Sequence, residues 1–105
     1  MNKARDVKFK KWNCEIELAA YSNGRIAILL NDKDTGEHIL TASVNVPEYN
    51  LKEDELFIKD WSENEGILKA LCEAQIIEDL GQSEPMGFVD AHLCRLLINK
   101  QSSAT

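Results

Sequence analysis

Hydrophobic and polar residues alternate along the first fifth of the chain. Over residues 11–20 every second side chain is apolar, a period of two that predicts a half-buried β-strand. The inward-facing set is Trp12, Cys14, Ile16, Leu18 and Ala20. Val7 and Phe9 lie on the opposite parity, so the pattern predicts a bulge or break near Lys10.

A hairpin and a third strand follow. Asn23-Gly24 is a strong hairpin signal, because both residues tolerate the positive φ of a type I′ turn, and residues 25–30 form the return strand. Residues 31–37 predict a second turn, and residues 38–46 a third strand that ends at Pro47, which cannot donate to a ladder. Its expected core-facing residues are Leu40, Ala42, Val44 and Val46. Three strands joined by short turns predict an antiparallel meander.

The middle of the chain carries the helix signals. Residues 47–54 form an acidic connector, in which Tyr49 and Leu51 are expected to pack under the sheet edge, and residues 55–61 predict a fourth strand. Ser62 and Glu65 have the spacing of a capping box, which predicts a helix over about residues 62–76. Ile67, Leu71 and Ala74 fall on one face of that helix.

The last part of the chain predicts one more strand. Residues 81–85 (GQSEP) indicate a turn, and residues 86–98 the final strand. The side chains available for burial there are Phe88, Ala91, Leu93, Leu96 and Leu97.

The predicted fold class is therefore α+β. We expect an antiparallel sheet of four or five strands, beginning with the N-terminal meander, and one helix packed on one face. The 105 residues predict a single domain, with an ordered core at about 7–98 and polar tails at 1–6 and 99–105.

Composition and cysteine content predict residence in the cytosol of a producing or host cell. No apolar run approaches the 18 or so residues needed to span a bilayer, and the basic N-terminus leads into no apolar stretch of a secretory signal. The cysteines are odd in number, widely spaced and set in apolar contexts: Cys14, Cys72 and Cys94. This distribution favours buried thiols.

Charge is unevenly placed along the sequence. Residues 1–47 hold seven Lys/Arg against six Asp/Glu, whereas residues 48–105 hold five against twelve. The second half should repel nucleic acid and anionic membranes and attract a basic protein surface. The alternative is simply a soluble acidic protein.

The sequence contains no complete motif for a metal site or for catalysis. Asp32-x-Asp34-x-Gly36 begins like a calcium loop, but Glu37 stands where an EF-hand needs glycine, so a hairpin turn is the better interpretation. His38 and His92 have no ligand partners at zinc-binding spacing, and the glycines build no phosphate loop. We predict no metal site, no cofactor and no enzymatic activity. A Cys94–His92 nucleophile is the enzymatic alternative, because the two residues share strand parity.

Two charged clusters are candidate binding surfaces. Lys8, Lys10 and Lys11 beside Phe9 and Trp12 resemble a single-strand-binding pattern, but lysines on an edge strand also guard against aggregation, and we favour that interpretation. Direct nucleic-acid binding is therefore not expected. The second cluster is an acidic rim that a protein partner could recognise in place of phosphates: Glu48, Glu53, Asp54, Glu55, Asp60 and Glu63. The alternative is a solvated margin with helix-cap charges.

Three segments taken together carry a family resemblance: residues 21–28 (YSNGRIAI), 57–68 (FIKDWSENEGIL) and 87–96 (GFVDAHLCRL). They resemble a domain-of-unknown-function family of small acidic proteins from phages, plasmids and integrative elements. The resemblance implies an accessory protein of a mobile element, a group that includes anti-CRISPR inhibitors. The prediction is a non-enzymatic inhibitor that binds a host defence effector, such as a CRISPR nuclease, through the acidic rim. The alternative is a dimerising regulatory or structural module of the element.

Overall fold

Among the residues that the structure describes, strands predominate and one short α-helix lies between them. The computed structural model describes residues 6–46 and 48–98. The elements are β1 (Asp6–Phe9), β2 (Trp12–Ala20), β3 (Ile26–Asp32), β4 (His38–Thr41), β5 (Ser43–Val44), β6 (Glu55–Lys59), a 3₁₀ helix (Ser62–Asn64), α1 (Ile67–Glu73), β7 (Ile77–Met86) and β8 (Val89–Leu96). The predicted tails 1–5 and 99–105 and the strand-ending Pro47 lie outside the described residues. Asp6, predicted as tail, is the first residue of β1.

The strands form two antiparallel sheets rather than the single one predicted. The first sheet has the order β1-β2-β3-β4 and the second β5-β6-β8-β7. The predicted third strand splits at Ala42, whose N–H donates to Ile28 of the first sheet while its carbonyl accepts from Lys59 of the second. Residues 41–43 thus carry the chain from one sheet to the other.

Buried side chains supply the hydrogen bonds that the ladders lack at this crossing. The Ser43 hydroxyl accepts from the N–H of Ile28 at 3.0 Å and also pairs with the Tyr21 hydroxyl at 2.9 Å. Asn64, buried below the crossing, donates its side-chain amide to the carbonyl of Thr41 at 2.9 Å. These bonds satisfy backbone groups that would otherwise be buried without partners.

The main core lies between the two sheets, and α1 covers it. The helix contacts β1 of the first sheet and β6 and β7 of the second. Its Ile67 and Leu71 are fully buried, as the predicted amphipathic face requires. The other fully buried side chains of this core include Ile28, Leu30, Ala42, Ile58, Ile76 and Cys94.

The helix begins five residues later than predicted, and the capping box does not form. Ser62 lies at φ 56° and starts the 3₁₀ helix without a side-chain cap. Asp60 takes over the cap, because its Oδ1 accepts from the N–H groups of Gly66 and Leu68 at 2.9 and 3.0 Å. Gly66, at φ 99°, makes the turn into α1 that allows this contact.

The helix ends in a Schellman motif. The N–H of Ile76 donates to Leu71 and that of Gln75 to Cys72, and Gln75 adopts φ 62°. Ile76 packs fully buried in the same core as Leu71, the hydrophobic contact that usually accompanies this motif. The helix therefore stops at Glu73 rather than continuing to residue 76.

The predicted breaks and turns of the first sheet are confirmed. The break near Lys10 is the turn between β1 and β2, with Lys10 at φ 56°. The Asn23-Gly24 hairpin joins β2 to β3, but only Gly24 has positive φ, so a type I turn closed by Gly24 replaces the expected type I′ turn. Asp32 organises the next turn by accepting from the N–H of Asp34.

The C-terminal hairpin differs most from expectation. Residues 81–85, predicted as a turn, belong to β7, which carries a bulge between Asp79 and Gln82. The turn itself is Gly87-Phe88. Phe88, expected to be buried, is fully exposed, and Leu97 is half-exposed.

Candidate protein-binding surface

The second sheet has an apolar cluster on the face turned away from the main core, which we call the outer face. Strand parity produces it, since Leu56 and Ile58 of β6 join the main core whereas Phe57 points the other way. The buried members of this cluster are Val46, Phe57, Ala91 and Leu93. Its half-buried members are Val44, Tyr49, Leu51, Trp61, Leu80 and Met86. Val44 and Val46, predicted to face the core, thus belong to the outer-face cluster instead.

A loop of residues 48–51 covers part of the outer face, as predicted for Tyr49 and Leu51. The Tyr49 ring meets Phe57 edge-on, with centroids 5.0 Å apart. Arg25, in the hairpin turn before β3, holds this segment in place, because its guanidinium donates to the carbonyl of Tyr49 at 2.6 Å and to that of Val46 at 3.4 Å. The half-buried aromatic and apolar side chains around Phe57 are held in place by these contacts.

The predicted acidic rim is divided between the two ends of β6. Glu53, Asp54 and Glu55 stand at its start, whereas Asp60 and Glu63 follow its end. Five residues of extended chain separate Glu55 from Asp60 by roughly 17 Å. Glu63 lies next to Lys10 of the turn between β1 and β2, since its backbone carbonyl accepts from Lys10 Nζ at 3.0 Å. Glu48 is exposed on the covering loop.

Several of these carboxylates have partners within the fold. Asp60 caps α1, and Glu55 accepts from the N–H of Lys52 at 2.9 Å. Asp54 lies 3.5 Å from the guanidinium of Arg95. No side-chain hydrogen bond or ion pair engages Glu48 or Glu53 within residues 6–46 and 48–98. The predicted rim is therefore part structural, where its carboxylates have partners in the fold, and part solvated; recognition by a protein partner stays a prediction.

Strand register adds an acidic residue that the sequence did not indicate. Arg95 of β8 lies opposite Glu55 of β6 and opposite Glu78 of β7, so the three form one row across the sheet. Arg95 binds Glu78 at 3.1 Å as well as Asp54. We call this set the acidic corner: Glu53, Asp54, Glu55 and Glu78.

The acidic corner and the outer face are continuous. Glu55 and Phe57 share strand parity on β6, and Arg95 and Leu93 do so on β8. Residues two apart on a strand are separated by about 7 Å, so the charged row directly borders the apolar cluster. The sequence did not indicate Glu78 because it is distant from Glu55 along the chain, and only the register of β6, β8 and β7 brings the two into one row.

The Cys94–His92 pair lacks the geometry of an activated nucleophile. Cys94 is fully buried, and its thiol contacts the backbone carbonyl of His92 at 3.6 Å rather than the ring. Burial, with a smaller contribution from Asp79, raises the pKa of the Cys94 thiol far above its usual range. The thiol therefore stays protonated at neutral pH, whereas nucleophilic cysteines act as thiolates.

The remaining candidate sites are occupied by internal contacts. Phe9 is buried in the main core, so it is not available to stack on a nucleobase, and the Lys10 ammonium lies 5.1 Å from its ring. A shallow depression beside β1 is crossed by an ion pair between Lys33 and Asp6 at 2.6 Å. Among the described residues no group of three or more His, Cys, Asp or Glu side chains is placed to hold a metal ion.

Within residues 6–46 and 48–98, no helix is long and apolar enough to cross a membrane.

Comparisons with known proteins identify no relative of this chain. No protein-family model, curated protein or solved structure matches the chain. The resemblance to a family from mobile elements stays a prediction.

Proposed function

We propose that this protein is a non-enzymatic inhibitor that binds a basic protein effector of a host defence system, of the CRISPR nuclease type. The binding surface is the outer face of the second sheet together with the acidic corner. One observation carries the proposal: the row Glu55–Arg95–Glu78 borders a half-buried cluster that contains Tyr49 and Trp61. Specific interfaces combine an apolar, aromatic-rich centre with a polar margin.

Charge selects the kind of partner. The four carboxylates of the acidic corner have one neighbouring guanidinium, that of Arg95. They belong to a half of the chain in which twelve Asp/Glu oppose five Lys/Arg. Complementary potentials favour a basic surface and accelerate its association. Guided nucleases offer such a surface, since they hold their nucleic acids in a positively charged channel.

The same charges disfavour a second copy as the occupant of the outer face. A symmetric dimer would bring two acidic corners into one interface, and like charges placed together cost several kcal/mol. We therefore expect a monomer by sedimentation equilibrium at micromolar concentration. A dimer that dissociates when Trp61 is changed to Ser would instead favour a dimerising module of the mobile element.

The direct test uses a purified CRISPR effector nuclease loaded with its guide RNA. Target-DNA cleavage and binding affinity are measured with the wild-type protein and with a Glu53→Lys/Glu78→Lys variant. We expect the wild type to inhibit cleavage and the variant to bind at least about tenfold more weakly, chiefly through slower association. Wild-type protein that neither binds nor inhibits any single-chain effector tested would refute the proposal.

A charge-matched control separates local from global electrostatics. Glu15→Lys/Glu37→Lys makes the same net change at two exposed positions, one on β2 and one in the turn between β3 and β4. We expect this variant to retain affinity within about twofold, because exposed charges beyond a Debye length of roughly 8 Å are screened. Equal losses in the two variants would show that net charge, rather than the acidic corner, determines binding.

A further inference from the structure

We infer that Phe88 is the anchor residue that enters an apolar pocket with a basic margin on the same effector. The inference rests on the proposed function and adds a contact that lies outside the acidic corner. The site is the projecting end of the β7–β8 hairpin.

The hairpin extends beyond its neighbour in the sheet. Pairing between β6 and β8 stops at Lys59 and Ala91, whereas pairing between β7 and β8 continues to Met86 and Val89. Phe88 lies three residues past Ala91, which places it roughly 10 Å beyond the end of β6. The outermost part of the second sheet thus ends in an aromatic side chain.

The turn does not require an aromatic residue. Gly87, at φ 74°, occupies the first central position of a two-residue hairpin turn, the position where a type II′ turn needs glycine. The second central position commonly holds a small polar residue such as Ser, Asn or Asp. Phe88 stands there fully exposed and belongs to neither apolar cluster of the described chain. Its side chain therefore contributes nothing to packing within the fold, and contact with a partner supplies a reason for its presence.

The surroundings of Phe88 indicate the chemistry of the pocket. Met86, two residues earlier, is half-buried in the outer-face cluster, so the apolar surface runs from Phe57 towards the tip. Two carboxylates stand near the tip on opposite faces of the hairpin: Glu84 pairs with the outer-face residue Ala91, and the exposed Asp90 pairs with Pro85. A pocket with Lys or Arg at its margin matches an aromatic anchor between carboxylates, whereas a second copy of this acidic chain would place carboxylates against carboxylates.

The experiment measures binding to the guide-loaded nuclease by Phe88→Ser and Phe88→Trp variants. Serine suits the turn and removes the ring, so we expect at least about a 30-fold loss of affinity, the scale of an interface hot spot, with an unchanged thermal midpoint. The Phe88→Trp variant keeps an aromatic anchor and should bind within about fivefold of wild type. Its tryptophan fluorescence should move to shorter wavelength on binding, by more than the fluorescence of the wild-type protein does. These two results together support insertion into an apolar pocket.

The failures of the two proposals are distinguishable. If Glu53→Lys/Glu78→Lys weakens binding but Phe88→Ser binds like wild type, the anchor is refuted and the proposed function stands. An unshifted emission from the tryptophan variant in the complex would also refute insertion. If the wild-type protein does not bind the nuclease, both proposals are refuted.

Discussion

Removal of one hydroxyl group should test how the chain passes between its two sheets. Ser43 is 2% exposed, and its oxygen accepts from the N–H of Ile28 while pairing with the Tyr21 hydroxyl. In Ser43→Ala the buried N–H of Ile28 loses its acceptor. The backbone of Ala42 does not replace it, because its N–H donates to the Ile28 carbonyl and its own carbonyl accepts from Lys59. The substitution removes no large apolar group, so the hydrogen bonds dominate its effect.

The expected cost follows from those two bonds. A buried donor left unsatisfied costs about 1–3 kcal/mol, and loss of the part-buried Tyr21 partner adds up to about 1 kcal/mol. We expect the free energy of unfolding to fall by about 2–3 kcal/mol. For a domain near 100 residues this lowers the thermal midpoint by about 10–20 °C.

Urea denaturation followed by circular dichroism measures the loss, and Tyr21→Phe is the matched control. That variant keeps the Ser43–Ile28 bond and should lose no more than about 1 kcal/mol. An unchanged m-value in both variants would show that the denatured state is unaffected. A Ser43→Ala variant within about 0.5 kcal/mol of wild type would refute the idea that this hydroxyl holds the crossing together.

Three further outcomes are expected from the same denaturation assay. Asp60→Ala should cost about 1–2 kcal/mol because α1 loses its cap, whereas Asp60→Asn should recover part of that loss; equal losses would show that the oxygen acceptor is unimportant. Gln75→Gly should stabilise the fold by about 0.5–1 kcal/mol, because glycine adopts the left-handed conformation without strain, while Lys69→Gly inside α1 should destabilise it by about 1 kcal/mol. Stability should also fall as pH rises above about 9, since the unfolded Cys94 thiol ionises there but the folded one, with its raised pKa, does not. Cys94→Ala should make that decline shallower without abolishing it, because burial also raises the pKa values of the Cys14 and Cys72 thiols. An unchanged slope would contradict the assignment to Cys94.

The first sheet was the part that sequence pattern predicted well. In β2 the alternation holds from Trp12 to Leu18 because one face is solvated and the other packs on the core, whereas Ala20, expected to face inward, is exposed. Asn23-Gly24 then identified the hairpin to β3. The second sheet was missed because three successive residues of β6 are all buried. Leu56 and Ile58 pack in the main core, and Phe57 packs in the outer-face cluster. A continuous apolar run carries no information about which face meets which core.

The predictions for the start of the helix and for β7 were wrong because tertiary contacts outweighed the local sequence signals. Asn64 reaches the carbonyl of Thr41, and this contact accompanies a 3₁₀ turn that local capping signals do not indicate. Gly81 and Pro85 suggested a turn, but β7 is an edge strand and has a neighbour on one side only. A bulge and a proline are tolerated at such an edge, where they also hinder pairing with another chain.

The candidate surface shows the difference between a run of charges and a patch of charges. The acidic residues of 53–63 are close in sequence, yet β6 carries Glu55 and Asp60 to opposite ends of the sheet. Glu78 is distant in sequence, yet register brings it into the same row as Glu55, with Arg95 between them. A partner that recognised the linear segment as a peptide would need β6 to leave the sheet, which would expose Phe57 and Ile58 from both clusters. Recognition of the folded sheet avoids that loss, and so the rows across β6, β8 and β7 define the surface on which binding should be tested.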